Sequence, residues 1–180
     1  GTPSLEVVVL ASPFRQYLTP EDGKHHWRAL ATVDGTAVER EVSVELAADY
    51  LRQTVRTLRA LGKRVVIVAP PPSAGFNIGS CMERREQGKL VIGAPLADCS
   101  VPLADYRRFH ARSRELLARL NGEEGLQIVS FDALLCDDSR CKTRIGDQFL
   151  YIDVGHLTHE GSVLLAGKLG LRGILDGGAR

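Results

Sequence analysis

The segment Arg64-Val65-Val66-Ile67-Val68-Ala69-Pro70-Pro71-Pro72 decides the fold. Its β-branched run has no polar interruption and ends in prolines. A half-buried strand alternates apolar with polar, whereas a strand apolar at every position is covered on both faces, as in parallel sheets. Outward from it, Leu5-Glu6-Val7-Val8-Val9-Leu10 and Leu126-Gln127-Ile128-Val129-Ser130-Phe131 have the same character. Helical stripes precede the second and third of these strands. One consists of Leu46, Leu51, Val55, Leu58 and Leu61 and stops at Gly62. The other consists of Leu103, Tyr106, Phe109, Leu116, Leu117 and Leu120 and ends at Asn121-Gly122. A third helix is expected after Thr158, carrying Val163, Leu164, Leu165 and Leu169. This alternation predicts an α/β fold with a parallel sheet and helices on both faces. Three strands are few for such a domain, so we expect either more strands in the flanks or an N-terminal part of the domain lying before Gly1.

The bulk properties narrow the class. The 180 residues predict one domain spanning 1–180, and 44% hydrophobic with 25% charged residues is ordinary for a globular chain. Twenty-three basic and 22 acidic residues give a net charge of +1, without a dense basic run, so nucleic acid is not an expected partner. The apolar runs Val7–Ala11 and Val65–Ala69 are too short to span a bilayer. The opening Gly-Thr-Pro-Ser reads as a cut edge, and an excised piece of a longer protein is expected.

Two segments lack a period. Arg15 to Val42 contains Pro20-Glu21-Asp22-Gly23 and Asp34-Gly35, which predict a loop or short hairpin. Pro70 to Pro102 follows a strand's C-terminal end, where open α/β sheets bind ligands, so it is a candidate site wall. Cys81, Cys99, Cys136 and Cys141 are compatible with two disulfides and an oxidising compartment. Four cysteines allow three pairings; Cys81–Cys99 and Cys136–Cys141 are expected because both close local loops. Neither pair has Cys-x-x-Cys spacing and no nearby histidine completes a tetrahedral set, so no metal is expected.

The most informative segment for chemistry is Leu150-Tyr151-Ile152-Asp153-Val154-Gly155-His156-Leu157-Thr158-His159-Glu160-Gly161. A turn at Asp153-x-x-His156 lets the carboxylate accept from one imidazole nitrogen, fixing the tautomer. The other nitrogen can then take a proton from a hydroxyl nucleophile. A surface turn whose polar groups cap the next helix, with Thr158 as N-cap, explains the same residues.

The order of features from about Tyr50 to Leu171 is more specific than that spacing. It runs from the helix ending in Leu61-Gly62-Lys63-Arg64, through the strand into Pro70-Pro71-Pro72, to Cys81 followed by Arg84 and Arg85. Cys99, a helix, a strand, Leu135-Cys136 and Cys141 follow, then Leu150-Tyr151-x-Asp153-x-x-His156-Leu157-Thr158-x-x-Gly161. Val7-Val8-Val9-Leu10-Ala11-Ser12 with Phe14 looks like an earlier strand followed by an aromatic. Together they resemble the SGNH (GDSL-like) domain fused to family-three membrane acyltransferases, the O-antigen and cell-wall O-acetylases.

The resemblance implies a three-layer α/β/α sandwich outside the cytoplasmic membrane. It implies a serine nucleophile in a Gly-Asp-Ser block, with Asp153 and His156 as acid and base. It also implies an acyl donor delivered by a fused membrane domain, a carbohydrate acceptor, and no metal or cofactor. This chain departs from the pattern: it contains no Gly-Asp-Ser and no Gly-x-Asn-Asp, and its one Asp-Ser, Asp138-Ser139, lies between two cysteines. The nucleophile is therefore unassigned, and we expect it upstream of Gly1 unless the domain has lost catalysis. Ser12, Phe14 and Asn77 are candidate site-lining residues, with core packing the competing role for Phe14 and a structural role that for Asn77. His25-His26-Trp27 reads as an exposed loop, His110 as structural, and His159 as exposed on a first helical turn. The expected activity is extracytoplasmic O-acetyl transfer to a cell-surface carbohydrate. The alternatives are a carbohydrate esterase and a non-catalytic glycan-binding or regulatory module.

Overall fold

The computed structural model describes residues 5–18 and 28–177; the His25-His26-Trp27 and Pro20–Gly23 readings lie outside them. In chain order the elements are β1 (Val7–Ala11), α1 (Arg15–Leu18), β2 (Arg28–Val33), β3 (Thr36–Glu41), α2 (Val44–Ala60), β4 (Arg64–Val68) and α3 (Ile78–Glu86). They continue with β5 (Val101–Pro102), α4 (Leu103–Phe109), α5 (Ala111–Leu120), β6 (Leu126–Val129), α6 (Asp132–Leu135), β7 (Arg140–Cys141), β8 (Arg144–Ile145), β9 (Gln148–Phe149), α7 (His159–Lys168) and α8 (Leu171–Leu175). The chain is thus mixed α/β with a parallel three-stranded sheet flanked by helices. It divides into two compact units, one running to Ala69 and resuming over Ala111–Val129, the other comprising Pro70–His110 and Ser130 onward.

The first unit holds the sheet, in the order β1-β4-β6. All three expected strands are present and parallel, with Leu10 opposite Ile67 and Ile67 opposite Ile128. The period of two puts this row on one face. There it meets a core of Phe14, Leu18, Val44, Ala48, Leu116 and Leu120 from α1, α2 and α5. Val65, Val66 and Ile67 are all almost fully buried, so β4 is covered on both faces, as its unbroken apolar run requires.

Helix α2 starts where Ser43 Oγ accepts the Leu46 N–H at 3.1 Å. It stops in a Schellman turn: Gly62 takes φ +73°, its N–H donates to Arg59 O, and the Lys63 N–H donates to Leu58 O. Leu61, expected in the apolar stripe, is the C-cap and 65% exposed; Val44 and Ala48 take buried places on that face instead. The Asp34-Gly35 turn closes the antiparallel β2–β3 hairpin. Both residues have positive φ, as a two-residue type I′ connection demands.

In the second unit the bridges Cys81–Cys99 and Cys136–Cys141 are formed, the pairing expected from loop length. The first ties α3 to the segment entering β5; the second lies beside the pairing of β5 with β7. One correction concerns the second helical stripe. Leu103 to Leu120 forms two helices broken at His110, which ends α4 with φ −101° and ψ 15°. The break coincides with a buried polar side chain that a helical apolar period does not anticipate: His110 is 5% exposed.

Candidate active site

The Asp153 turn is built from its flanks inward. Leu150 and Tyr151 are buried, and the Tyr151 hydroxyl donates to Pro72 O at 2.7 Å. Burial also pushes the Tyr151 phenol well above its ordinary pKa, so it remains a neutral donor. On the far side, Thr158 N–H donates to Leu150 O and Thr158 Oγ1 donates to Phe149 O, both at 2.9 Å. The same hydroxyl accepts the Gly161 N–H at 2.9 Å, making Thr158 the N-cap of α7. The Ile152 N–H donates to His156 O at 2.9 Å and closes the loop between these anchors.

Within that loop Asp153 uses both carboxylate oxygens. Oδ1 accepts the backbone N–H of Gly155 at 2.9 Å and of His156 at 2.8 Å. Oδ2 lies 2.7 Å from His156 Nδ1. The Gly155 amide first, then the His156 amide, hold the Asp153 carboxyl down to about 2, so it is ionised at any ordinary pH. An ionised carboxylate on Nδ1 fixes the tautomer with the proton there. The His156 side chain is 85% exposed, which leaves the ring, and Nε2 with it, open to a reactant. The arrangement can therefore accept and return a proton at an exposed atom while the carboxylate steadies the charged ring. The capping role of Thr158 and the Asp153–His156 pair coexist; the two readings of this turn do not compete.

The Pro-rich segment lies against this turn, as a site wall would. Besides Pro72, the Gly79 N–H donates to Asp153 O at 3.3 Å. A Cβ on Gly79 would collide with the Ile152 carbonyl, so only glycine lets α3 start this close to the turn. Nothing in the sequence around Gly79 signals this contact, because it comes from residues far along the chain.

The remaining candidates separate. Asn77 is the N-cap of α3, its Oδ1 accepting the Ser80 N–H at 2.9 Å, a structural role. Phe14 belongs to the hydrophobic core of the first unit at 7% exposure, the packing role weighed for it against site lining. Ser12, half-buried after β1, has its Oγ accepting the Phe14 N–H at 3.3 Å. His159 is exposed at the start of α7. Ser139 Oγ donates to Asp137 in the exposed loop of the Cys136–Cys141 ring. A polar cleft of about 440 Å³ in the first unit, lined by Glu41, Ser43, Glu45, Arg112 and Glu115 among others, holds none of the residues singled out from sequence. Among the described residues no group of histidine, cysteine and carboxylate side chains is arranged to hold a metal.

The parallel three-stranded sheet flanked by helices places the chain among mixed α/β proteins. Residues 1–170 match the family described as the SGNH domain (fused to AT3 domains), and the chain belongs to it. A search of curated proteins finds no match. Among solved structures, the chain is similar in fold to the periplasmic domain of a lipopolysaccharide acetyltransferase from Salmonella ser. Paratyphi A. The identity is 21% and the TM-score 0.50, over 94% of this chain and 57% of that one. The chain thus spans little more than half the length of that relative.

Proposed function

We propose that this chain is the acid–base part of an extracytoplasmic O-acetyltransferase domain, with 1–180 acting as one SGNH-like domain. The observation that carries the reading is the Asp153–His156 pair, its carboxylate ionised and 2.7 Å from His156 Nδ1, with the imidazole exposed. In this reading a serine attacks an acyl donor while His156 Nε2 takes its proton and hands it to the departing donor group, leaving an acyl-enzyme. A carbohydrate hydroxyl then attacks that ester as Nε2 takes the hydroxyl proton, and Nε2 returns a proton to the serine oxygen as it leaves. Asp153 orients the imidazole throughout. The reading requires a serine nucleophile, which is not assigned among these 180 residues. Family membership supports an AT3 membrane domain in the same polypeptide as the source of the acyl group. The two disulfides, and the periplasmic placement of the Salmonella domain, support a location outside the cytoplasm.

The test is hydrolysis of p-nitrophenyl acetate by the full-length gene product, where His156→Ala should abolish turnover while the circular dichroism spectrum is kept. Unchanged turnover would refute the role. The 180-residue chain alone should show little or no turnover. The missing Gly-Asp-Ser favours a second reading, a non-catalytic glycan-binding or regulatory module. The codons upstream decide between them: a Gly-Asp-Ser block within about a hundred residues of Gly1, roughly one domain length, supports the enzyme, and its absence supports the module. Hydrolysis without transfer to any carbohydrate would make the protein an esterase.

A further inference from the structure

We infer that the buried Ser73–His110 pair is a positioning device for the Asp153–His156 turn; the inference rests on the acid–base reading of that turn. Ser73 and His110 are 4% and 5% exposed, and Ser73 Oγ shares a hydrogen bond with His110 Nε2 at 2.9 Å. Burying a hydroxyl and an imidazole costs desolvation that an apolar pair of the same volume would avoid. Such a pair contributes orientation, because its bond fixes the direction of both side chains.

What the bond orients is the turn. A Cβ added to Gly155 would sit 3.6 Å from Ser73 Oγ and 4.0 Å from Ser73 Cβ. The hydroxyl therefore packs against the residue whose N–H donates to Asp153 Oδ1. Its chain neighbours reinforce the contact, Pro72 O accepting from Tyr151 and Gly79 N–H donating to Asp153 O. The segment 72–79 thus meets the turn at 151, 153 and 155, and its second residue, Ser73, is held by His110.

His110 is itself held. Its N–H donates to Tyr106 O at 3.0 Å, and its ring meets Phe109 edge-on with centroids 5.1 Å apart. The Tyr106 ring lies 5.3 Å away, and the Tyr106 hydroxyl donates to Asp132 Oδ1 at 2.7 Å. The break between α4 and α5 falls at the residue that makes this bond. Ser73 and His110 touch no reacting atom in this scheme; they act through Gly155 and Asp153.

The test is hydrogen exchange by NMR on the 180-residue chain. Ser73→Ala and His110→Leu should shift the Gly155 and His156 amide resonances and speed their exchange about tenfold, the scale of one net hydrogen bond. Amides of α2 serve as the control and should not change. His110→Gln, whose side-chain amide can reach Ser73 Oγ, should restore both resonances. Wild-type exchange at Gly155 and His156 in Ser73→Ala would overturn the inference. So would equal acceleration in α2 and the turn, which would mean a general loss of stability. The outcome is separable from that of the acid–base reading: an active His156→Ala enzyme sinks that reading, whereas unchanged amides at the turn sink the positioning role.

Discussion

At the scale of the residue, Asp153 shows how a short motif becomes chemistry. One carboxylate accepts two backbone amides and meets an imidazole, and the amides, Gly155 first, depress its pKa to about 2 from an ordinary 3.8. A carboxyl with a folded pKa below its unfolded one stabilises the fold above the unfolded value, and loses that contribution as pH falls through the folded one. The stability difference between wild type and Asp153→Ala should therefore be constant above about pH 5 and shrink as pH falls from about 4 to about 2. Urea unfolding across that range checks it; a difference that grows toward acid would show that the carboxylate is not held as described. Gly155 yields a second expectation. Its added Cβ would be in ordinary contact with Ser73, so Gly155→Ala should change stability by less than about 1 kcal/mol. The Asp153–His156 pair was legible in the sequence because three-residue spacing is a local property. Ser73, Gly79 and Tyr151 were not legible as its supports, since each acts on residues more than seventy positions away or is acted on by them.

At the scale of the element, α3 is held at two points: its N-terminal turn touches the Asp153 turn and its Cys81 is cross-linked to Cys99. Gly79→Ala would force the first turn of α3 away from the Ile152 carbonyl. It should cost about 1–3 kcal/mol, the range for overpacking, and calorimetry should show a lowered Tm. If Tm is kept, the close approach of α3 to the turn is not as described. The two disulfides should also differ. On the chain-entropy view, Cys81–Cys99 with a separation of 18 contributes about 3 kcal/mol, and Cys136–Cys141 with a separation of 5 about 2 kcal/mol. Paired Cys→Ser variants in denaturant melts test that order. Elements with an unbroken apolar run, β1, β4 and β6, and the helically periodic α2 were read from sequence nearly to their ends. The α4–α5 break was not, because an apolar stripe of helical period continues across His110 while the buried hydrogen bond from its ring to Ser73 leaves no mark in composition.

At the scale of the whole molecule, the chain order of the elements and the placement of the cysteines lead to one more expectation. Parallel strand pairing and the sheet order β1-β4-β6 follow from three short apolar runs separated by helices, which is why the α/β class could be read directly. The division into two units could not, because each is assembled from two separate stretches of chain. The first unit relies on its apolar core around Ile67, Leu116 and Leu120 and contains no cysteine. Both disulfides fall in the second unit, whose strands outside the sheet are only two residues long and bury little backbone pairing. Reduction removes cross-links from the second unit alone. Hydrogen exchange after reduction should then rise most in α3, α4 and α7, by about ten- to a hundredfold for a loss of roughly 1.5–3 kcal/mol, while α2 and β4 stay close to their oxidised protection. Peptide-resolved exchange with and without reductant measures this. A uniform rise across both units would show that they unfold as one cooperative body, and the disulfides would then support the parallel sheet as much as the Asp153 turn.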